Sequence, residues 1–161
     1  ISQSLGPIPM ETYIEFAGRM FAERSKFIDK FAVEIVYKRF EGCTWYIQMI
    51  LNRLYAKVSR PIDMDLAQES IREILQENEF YYQHLLQVYP RGQVKLIKAI
   101  AKEKKVKEPL SGAFISRYGL TATSSVKSAL SRMLDEEIIY RAPDGYMVYD
   151  RFFGQWLDAR F

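Results

Sequence analysis

LTATSSVKSALSRMLDEEIIYRAPDGYMVYD, residues 120–150, decides how the rest of the chain is read. Val126, Ala129, Leu130, Met133 and Leu134 fall at i, i+3, i+4, i+7 and i+8, a full helical template, with Thr121 or Thr123 placed to cap its start. Two short apolar segments, IIYRA and YMVYD, then flank Pro143, Asp144 and Gly145. A tight turn whose glycine supplies a positive φ makes them a β-hairpin. Working outward, LSGAFISRYG predicts a short helix stopped at Gly119. RGQVKLIKAIAKEK, opened by Pro90, predicts an amphipathic helix carrying Val94, Leu96, Ile97, Ile100 and Ala101. KKVKEP reads as a basic linker between them. After the hairpin, RFFGQWLDARF returns to helix, with Phe152, Phe153, Trp156 and Leu157 on one side.

Everything before Tyr89 has helical grammar. Pro7 and Pro9 hold the entry extended, and a helix begins near Met10 with Tyr13, Phe16, Ala17, Met20 and Phe21 at spacings of three and four. A second, near Phe27 to Phe40, aligns Phe27, Phe31 and Ile35, with Gly42 as its stop. Thr44 caps a third, whose stripe is Ile47, Ile50, Leu51, Leu54 and Val58 and which Pro61 closes. Asp65 caps a fourth bearing Leu66, Ile71, Ile74 and Leu75. The polar QENE at residues 76–79 breaks it before a segment with Phe80, Tyr81, Leu85 and Val88. The expected fold is mainly α: a helical bundle over residues 1–89, then three helices, a hairpin and a closing helix over 90–161. Helices two and three of that second part are separated by only a few residues, which is the order of a winged helix-turn-helix.

Composition narrows the chemistry. With 161 residues, 48% of them hydrophobic, the chain can bury one good core or two small ones. Cys43 is the only cysteine and His84 the only histidine, so an internal disulfide, a cysteine-based zinc site and a second histidine ligand are all excluded. A Ser-His-Asp or Cys-His machine would have to be built on His84, and no nucleophile signature surrounds it. No apolar run approaches the roughly 20 residues of a membrane span, and ISQSLGPIPM lacks a signal peptide's basic start. A cytoplasmic protein without membrane contact is expected.

The net charge of +3 is unevenly spread. Residues 1–89 hold 10 Lys and Arg against 12 Asp and Glu, residues 90–134 hold 10 against 2, and residues 135–161 hold 3 against 6. A basic block of this kind attracts phosphate backbones or acidic protein surfaces, or is simply a solvated face. Its candidate phosphate contacts are Lys102, Lys104, Lys105, Lys107, Arg117, Lys127 and Arg132. Ser124, Ser128 and Ser131 stand on the side of the 120–135 helix opposite Val126, with Ser125 and Lys127 on its flanks, where hydroxyls can donate to phosphates. Serines specify bases poorly, and Arg132 is the one long donor suited to a bidentate guanine contact. Asp135 and Asp144 would repel phosphate.

SGAFISRYGLTATSSVKSALSRMLDEEIIYR and YMVYDRFFGQWL together resemble the C-terminal winged helix of archaeal-type P-loop ATPases of the STAND and AAA+ group. FEGCTWYIQMILNRLY is similar to the lid motif of the same group, in which a glycine-containing turn leads into an aromatic, a Gln and a leucine-rich helix. The two matches cover nearly the whole chain. The resemblance implies that residues 1–89 are a helical lid, that a P-loop domain precedes it in the parent protein, and that ATP and Mg are that parent's cofactors. No G-x-x-x-x-G-K-[ST] occurs here, so no loop of backbone amides cradles a phosphate and ATPase activity does not reside in this sequence. In AAA+ relatives an Arg near the start of a lid helix contacts the terminal phosphates. The turn EGCTWYIQ has no basic residue, and Arg53, about two turns further on, is the candidate.

Three function classes follow. One is a non-catalytic regulatory or interaction module of a P-loop ATPase, contacting its parent domains or a partner protein. Another is a DNA-contacting module that grips mainly phosphates. The third is a free-standing enzyme. The first two are separated by whether the basic residues stand free on the same face as the TSSVKSALSR helix.

Overall fold

The computed structural model describes residues 6–57 and 59–161. Two compact units divide between Ile74 and Leu75.

In the first unit, Pro9 precedes α1 (Met10–Ala22), and one helical face buries Tyr13, Ala17 and Phe21. Phe16 and Met20, expected inside, stay exposed. α2 runs Lys30–Arg39. It starts later than the periodicity predicts because residues 27–29 are drawn into extended pairing. Ile28 and Ile62 form a parallel bridge, in which Ile62 N–H donates to the Phe27 carbonyl at 2.9 Å and Asp29 N–H to the Ile62 carbonyl at 2.8 Å. The Asp29 carboxylate then caps α2 by accepting from Phe31 N–H. This start turns Ala32, Val33, Val36 and Phe40 inward and leaves Phe27 and Phe31 outside, the reverse of the expected register. Gly42 ends α2 at φ 73°, and a Cβ there would meet the Tyr37 hydroxyl at 2.9 Å, so the stop needs glycine for space as well as for backbone angle.

α3 (Thr44–Lys57) buries Ile47, Ile50, Leu51 and Leu54 as expected; Val58 lies outside the described residues. Thr44 is the first helical residue rather than the cap, and its hydroxyl accepts the Tyr13 hydroxyl at 2.8 Å. α4 (Met64–Glu77) buries Leu66, Ile71, Ile74 and Leu75. Its start is held by Asp63, whose carboxylate accepts from Leu66 N–H, and not by Asp65. Asn78, with φ −98° and ψ 0°, breaks the helix where QENE predicted a break, and α5 (Glu79–Val88) follows.

α5 is the first helix of the second unit. The sequence puts the boundary after Tyr89, whereas the compact units place α5 with the C-terminal part. Tyr82 explains why: it is buried, stacked on Phe153 at 5.0 Å and tilted against Trp156 at 5.5 Å, and Arg160 pairs with Glu79. α6 (Arg91–Glu103) is central, lying against α8, α9 and β2 and burying Leu96, Ile97, Ile100 and Ala101. α7 (Gly112–Arg117) is capped by Ser111. α8 (Thr123–Asp135) buries Val126, Leu130 and Met133. β1 (Ile139–Ala142) and β2 (Gly145–Val148) pair antiparallel across Pro143 and Asp144, with Ala142 opposite Gly145. α9 (Arg151–Arg160), capped twice by Asp150, buries Phe152, Phe153, Trp156 and Leu157.

KKVKEP is more than a linker. Val106 is buried and forms an antiparallel bridge with Tyr146, exchanging hydrogen bonds of 3.0 and 2.8 Å. It lays one residue of a third strand along β2. Gly145 makes this approach possible: its φ is 150°, and a Cβ would come within 3.0 Å of the Val106 backbone.

Candidate nucleic-acid interface

Gly119 (φ 57°) ends α7, with Leu120 N–H donating back to the Ile115 carbonyl at 2.9 Å, and the chain turns directly into α8. Neither Thr121 nor Thr123 caps α8. Ala122 holds the cap position and offers no side-chain acceptor. Because Val126, Leu130 and Met133 point into the core, the 3.6-residue period turns Ser124, Ser125, Lys127, Ser128 and Arg132 outward, and all five are exposed. Ser128 spends its hydroxyl on its own helix, donating to the Ser124 carbonyl at 3.1 Å. The Arg132 guanidinium donates to Glu136 one turn on, at 3.1 Å.

The remaining candidates form two further groups. At the hairpin tip, half-buried Lys105 pairs with Asp144 at 2.9 Å. That hydrogen bond, with the Lys107 charge adding a little, holds the Asp144 carboxyl below the usual carboxylate range. Asp144 therefore neutralises Lys105 at the place where the sequence suggested phosphate repulsion. Lys107 and Lys104 are exposed, and Lys104 ends α6 with φ 65°.

Between α6 and α7, Glu103 accepts from the Tyr118 hydroxyl at 2.8 Å and from Arg117. These two donors, Tyr118 first, hold the Glu103 carboxyl below its ordinary range, and Glu103 in turn keeps Arg117 more firmly protonated. Lys102 pairs with Asp158 at 3.4 Å. Of the seven candidate cations, Lys102, Lys105, Arg117 and Arg132 thus have a carboxylate of their own unit. Such exposed pairs are each worth about 0–1 kcal/mol, so a phosphate could displace them, though at a loss.

Arg53, the candidate phosphate contact of the first unit, donates to Glu73 at 3.1 Å, and Lys57 reaches the same oxygen at 3.8 Å. Its side chain is 17% exposed. This arrangement clasps α3 to α4. His84 is exposed on α5. Among the described residues, no three His, Cys, Asp or Glu are grouped to hold a metal ion, and no helix is long and apolar enough to cross a membrane.

The acidic partners Glu103, Glu136 and Asp158 have no place in the sequence reading. Arg132 and Glu136, at i and i+4, could have been paired from spacing. The Glu103 and Asp158 pairs are tertiary and leave no local signal.

Three helices, a short turn before α8, a hairpin and the Val106 strand make the second unit a winged-helix domain. Residues 80–159 match the family model described as "Probable winged helix domain". Among solved structures, the chain is similar to the Walker-type ATPase Paby2304 of Pyrococcus abyssi, with a TM-score of 0.65 and 14% identity over 94% of this chain. That likeness is one of fold. The chain spans 42% of the length of the ATPase chain. A search of curated proteins gave no match.

Proposed function

We propose that this chain is a non-catalytic interaction module of a cytoplasmic P-loop ATPase of the STAND and AAA+ type, acting through contacts with its parent domains or a partner protein. In this reading the first unit, residues 1–74, serves as a lid, α5 belonging to the winged-helix unit, and ATP and Mg are handled by a P-loop domain elsewhere in the parent, since the sequence here has no phosphate-cradling loop. The observation that carries the proposal is the charge pairing just described. Arg117, Lys105 and Arg132, which a DNA-gripping winged helix would aim at phosphates, are held by Glu103, Asp144 and Glu136.

A second reading, DNA contact mainly through phosphates, is favoured by exposed Lys127 beside Ser124 and Ser128 on α8. Anisotropy of a labelled duplex separates the two. The interaction reading expects no binding tighter than about 100 μM at physiological salt, the weak end of non-specific association. The phosphate reading expects micromolar binding, and a log-log salt slope that Lys127→Ala flattens by about 0.9. That result would overturn the interaction proposal.

A further inference from the structure

We propose that Glu103 and Asp144 are autoinhibitory: standing where the phosphates of a nucleic-acid backbone would stand, they occupy Arg117, Tyr118 and Lys105 and keep the affinity of the winged-helix unit for a duplex low. The two pairs share one tight turn. Lys104 has φ 65° and ψ −48°, and Lys105 N–H donates to the Glu103 carbonyl at 2.7 Å, so residues 103–105 form a γ-turn, a rare and strained conformation for a residue with a side chain. That turn holds Glu103 and Lys105 close together. Glu103 accepts from the Tyr118 hydroxyl at 2.8 Å and from Arg117, and Lys105 donates to Asp144 at 2.9 Å. The end of α7, the turn after α6 and the tip of the wing therefore meet here.

Two observations make a phosphate backbone the ligand these donors fit. A guanidinium and a hydroxyl converge on one oxygen, Glu103 Oε1, and that donor set serves a phosphate oxygen as well as a carboxylate oxygen. Lys104 and Lys107 are exposed at and just after the turn, so Lys104, Lys105, Lys107 and Arg117 stand against Glu103, Glu108 and Asp144. With both pairs closed, an approaching polyanion meets a nearly balanced surface; with both carboxylates withdrawn, it meets an excess of positive charge. The locks are also weak enough to be displaced. Arg117 and Asp144 are 61% and 57% exposed, where water screens an ion pair, and opening the pairs removes contacts that hold the strained turn at Lys104. A backbone thus competes with Glu103 and Asp144 on near-equal terms. The inference goes beyond the interaction reading and does not rest on it.

Anisotropy of a labelled DNA duplex, titrated with the 161-residue chain in about 100 mM salt, tests this. Glu103→Gln with Asp144→Asn should bind about tenfold more tightly than the parent, with a log-log salt slope steeper by up to about 1.8, for two further phosphates at about 0.9 each. Adding Lys105→Ala and Arg117→Ala should return the affinity to within about twofold of the parent. Glu11→Gln with Glu15→Gln, the same charge change on exposed positions of α1, should also stay within about twofold. Near-ultraviolet circular dichroism checks that each variant is folded, and the two single variants, each expected to gain about threefold, carry the test if the double variant is not. A double variant no tighter than the parent overturns the proposal. So does a gain that survives Lys105→Ala and Arg117→Ala, or one that the α1 pair matches, which would mark net charge alone. The ratio decides, so a parent that itself binds at the micromolar level counts against the interaction reading and not against this one.

Discussion

α5 and α8 are both amphipathic helices of the second unit, and both show solvent a face of mixed interest. On α8, the helix a winged fold would offer to a duplex, that face is serines, one lysine and an arginine already paired to Glu136. On α5, which the fold class does not single out, it is Phe80, Tyr81 and Val88. Exposed apolar area of this kind marks association far more often than scattered surface leucines do. Fold class and surface chemistry therefore nominate different helices, and function has to be argued from the surface.

The comparison breaks most readily if either helix proves to be misoriented. Tyr82→Ala and Met133→Ala remove buried anchors of α5 and α8 and should cost about 3–5 and 2–5 kcal/mol, whereas Phe80→Ala and Ser128→Ala should stay within about 0.5 kcal/mol. Urea denaturation of the four variants measures this. A cost above about 1.5 kcal/mol at Phe80 would mean that the outer face of α5 is covered.

A smaller effect sharpens the contrast from the α8 side. Ala122 holds the cap position with φ −57° and ψ 149°, a conformation that a capping side chain adopts readily. Ala122→Ser should stabilise the unit by about 1 kcal/mol, since Ala122 offers no side-chain acceptor to the first amides of α8. An unchanged denaturation midpoint would show that those amides have other partners.

The smallest effect concerns the clasp between α6 and α7. The Glu103 carboxyl is lowered from 4.5 in the folded chain, chiefly by Tyr118 and then by Arg117. Its contribution is therefore full above about pH 4.5 and fades as pH falls through the lowered folded value. Glu103→Gln should lower stability near neutral pH, and its difference from the parent should shrink towards pH 3. A difference that is constant with pH would show that the clasp acts through shape alone.

The sequence reading succeeded where one pattern had no rival. Val126, Leu130 and Met133 admit only one helical face, and a Pro-Asp-Gly turn between apolar runs admits only a hairpin. α2 and α5 defeated it because each carries two apolar stripes. Phe27, Phe31 and Ile35 satisfy the i, i+4 rule as well as Ala32, Val36 and Phe40 do, and larger side chains drew the wrong choice. In α5, Phe80 and Tyr81 outweighed Tyr82 in the same way. Caps were missed by one or two residues at Asp63 and Ala122, since several Asp and Thr stood near each start. For the candidate interface, the exposed α8 residues were legible from periodicity. The carboxylates that hold Arg117 and Lys105 were not, because Glu103 and Asp144 lie 14 and 39 residues away along the chain.

That last separation also bears on how the domain assembles. β1 and β2 are joined by a two-residue turn and can meet within microseconds, as short hairpins do. Val106 can join them only after the intervening α7 and α8 have been looped out and brought back, an entropic cost that grows with the logarithm of the loop. The Val106–Tyr146 bridge and the Lys105–Asp144 pair are then expected to form late, after the folding transition state. Weakening them should leave the folding rate nearly unchanged and speed unfolding instead, so that the segment sets how long the wing stays closed more than how fast it forms.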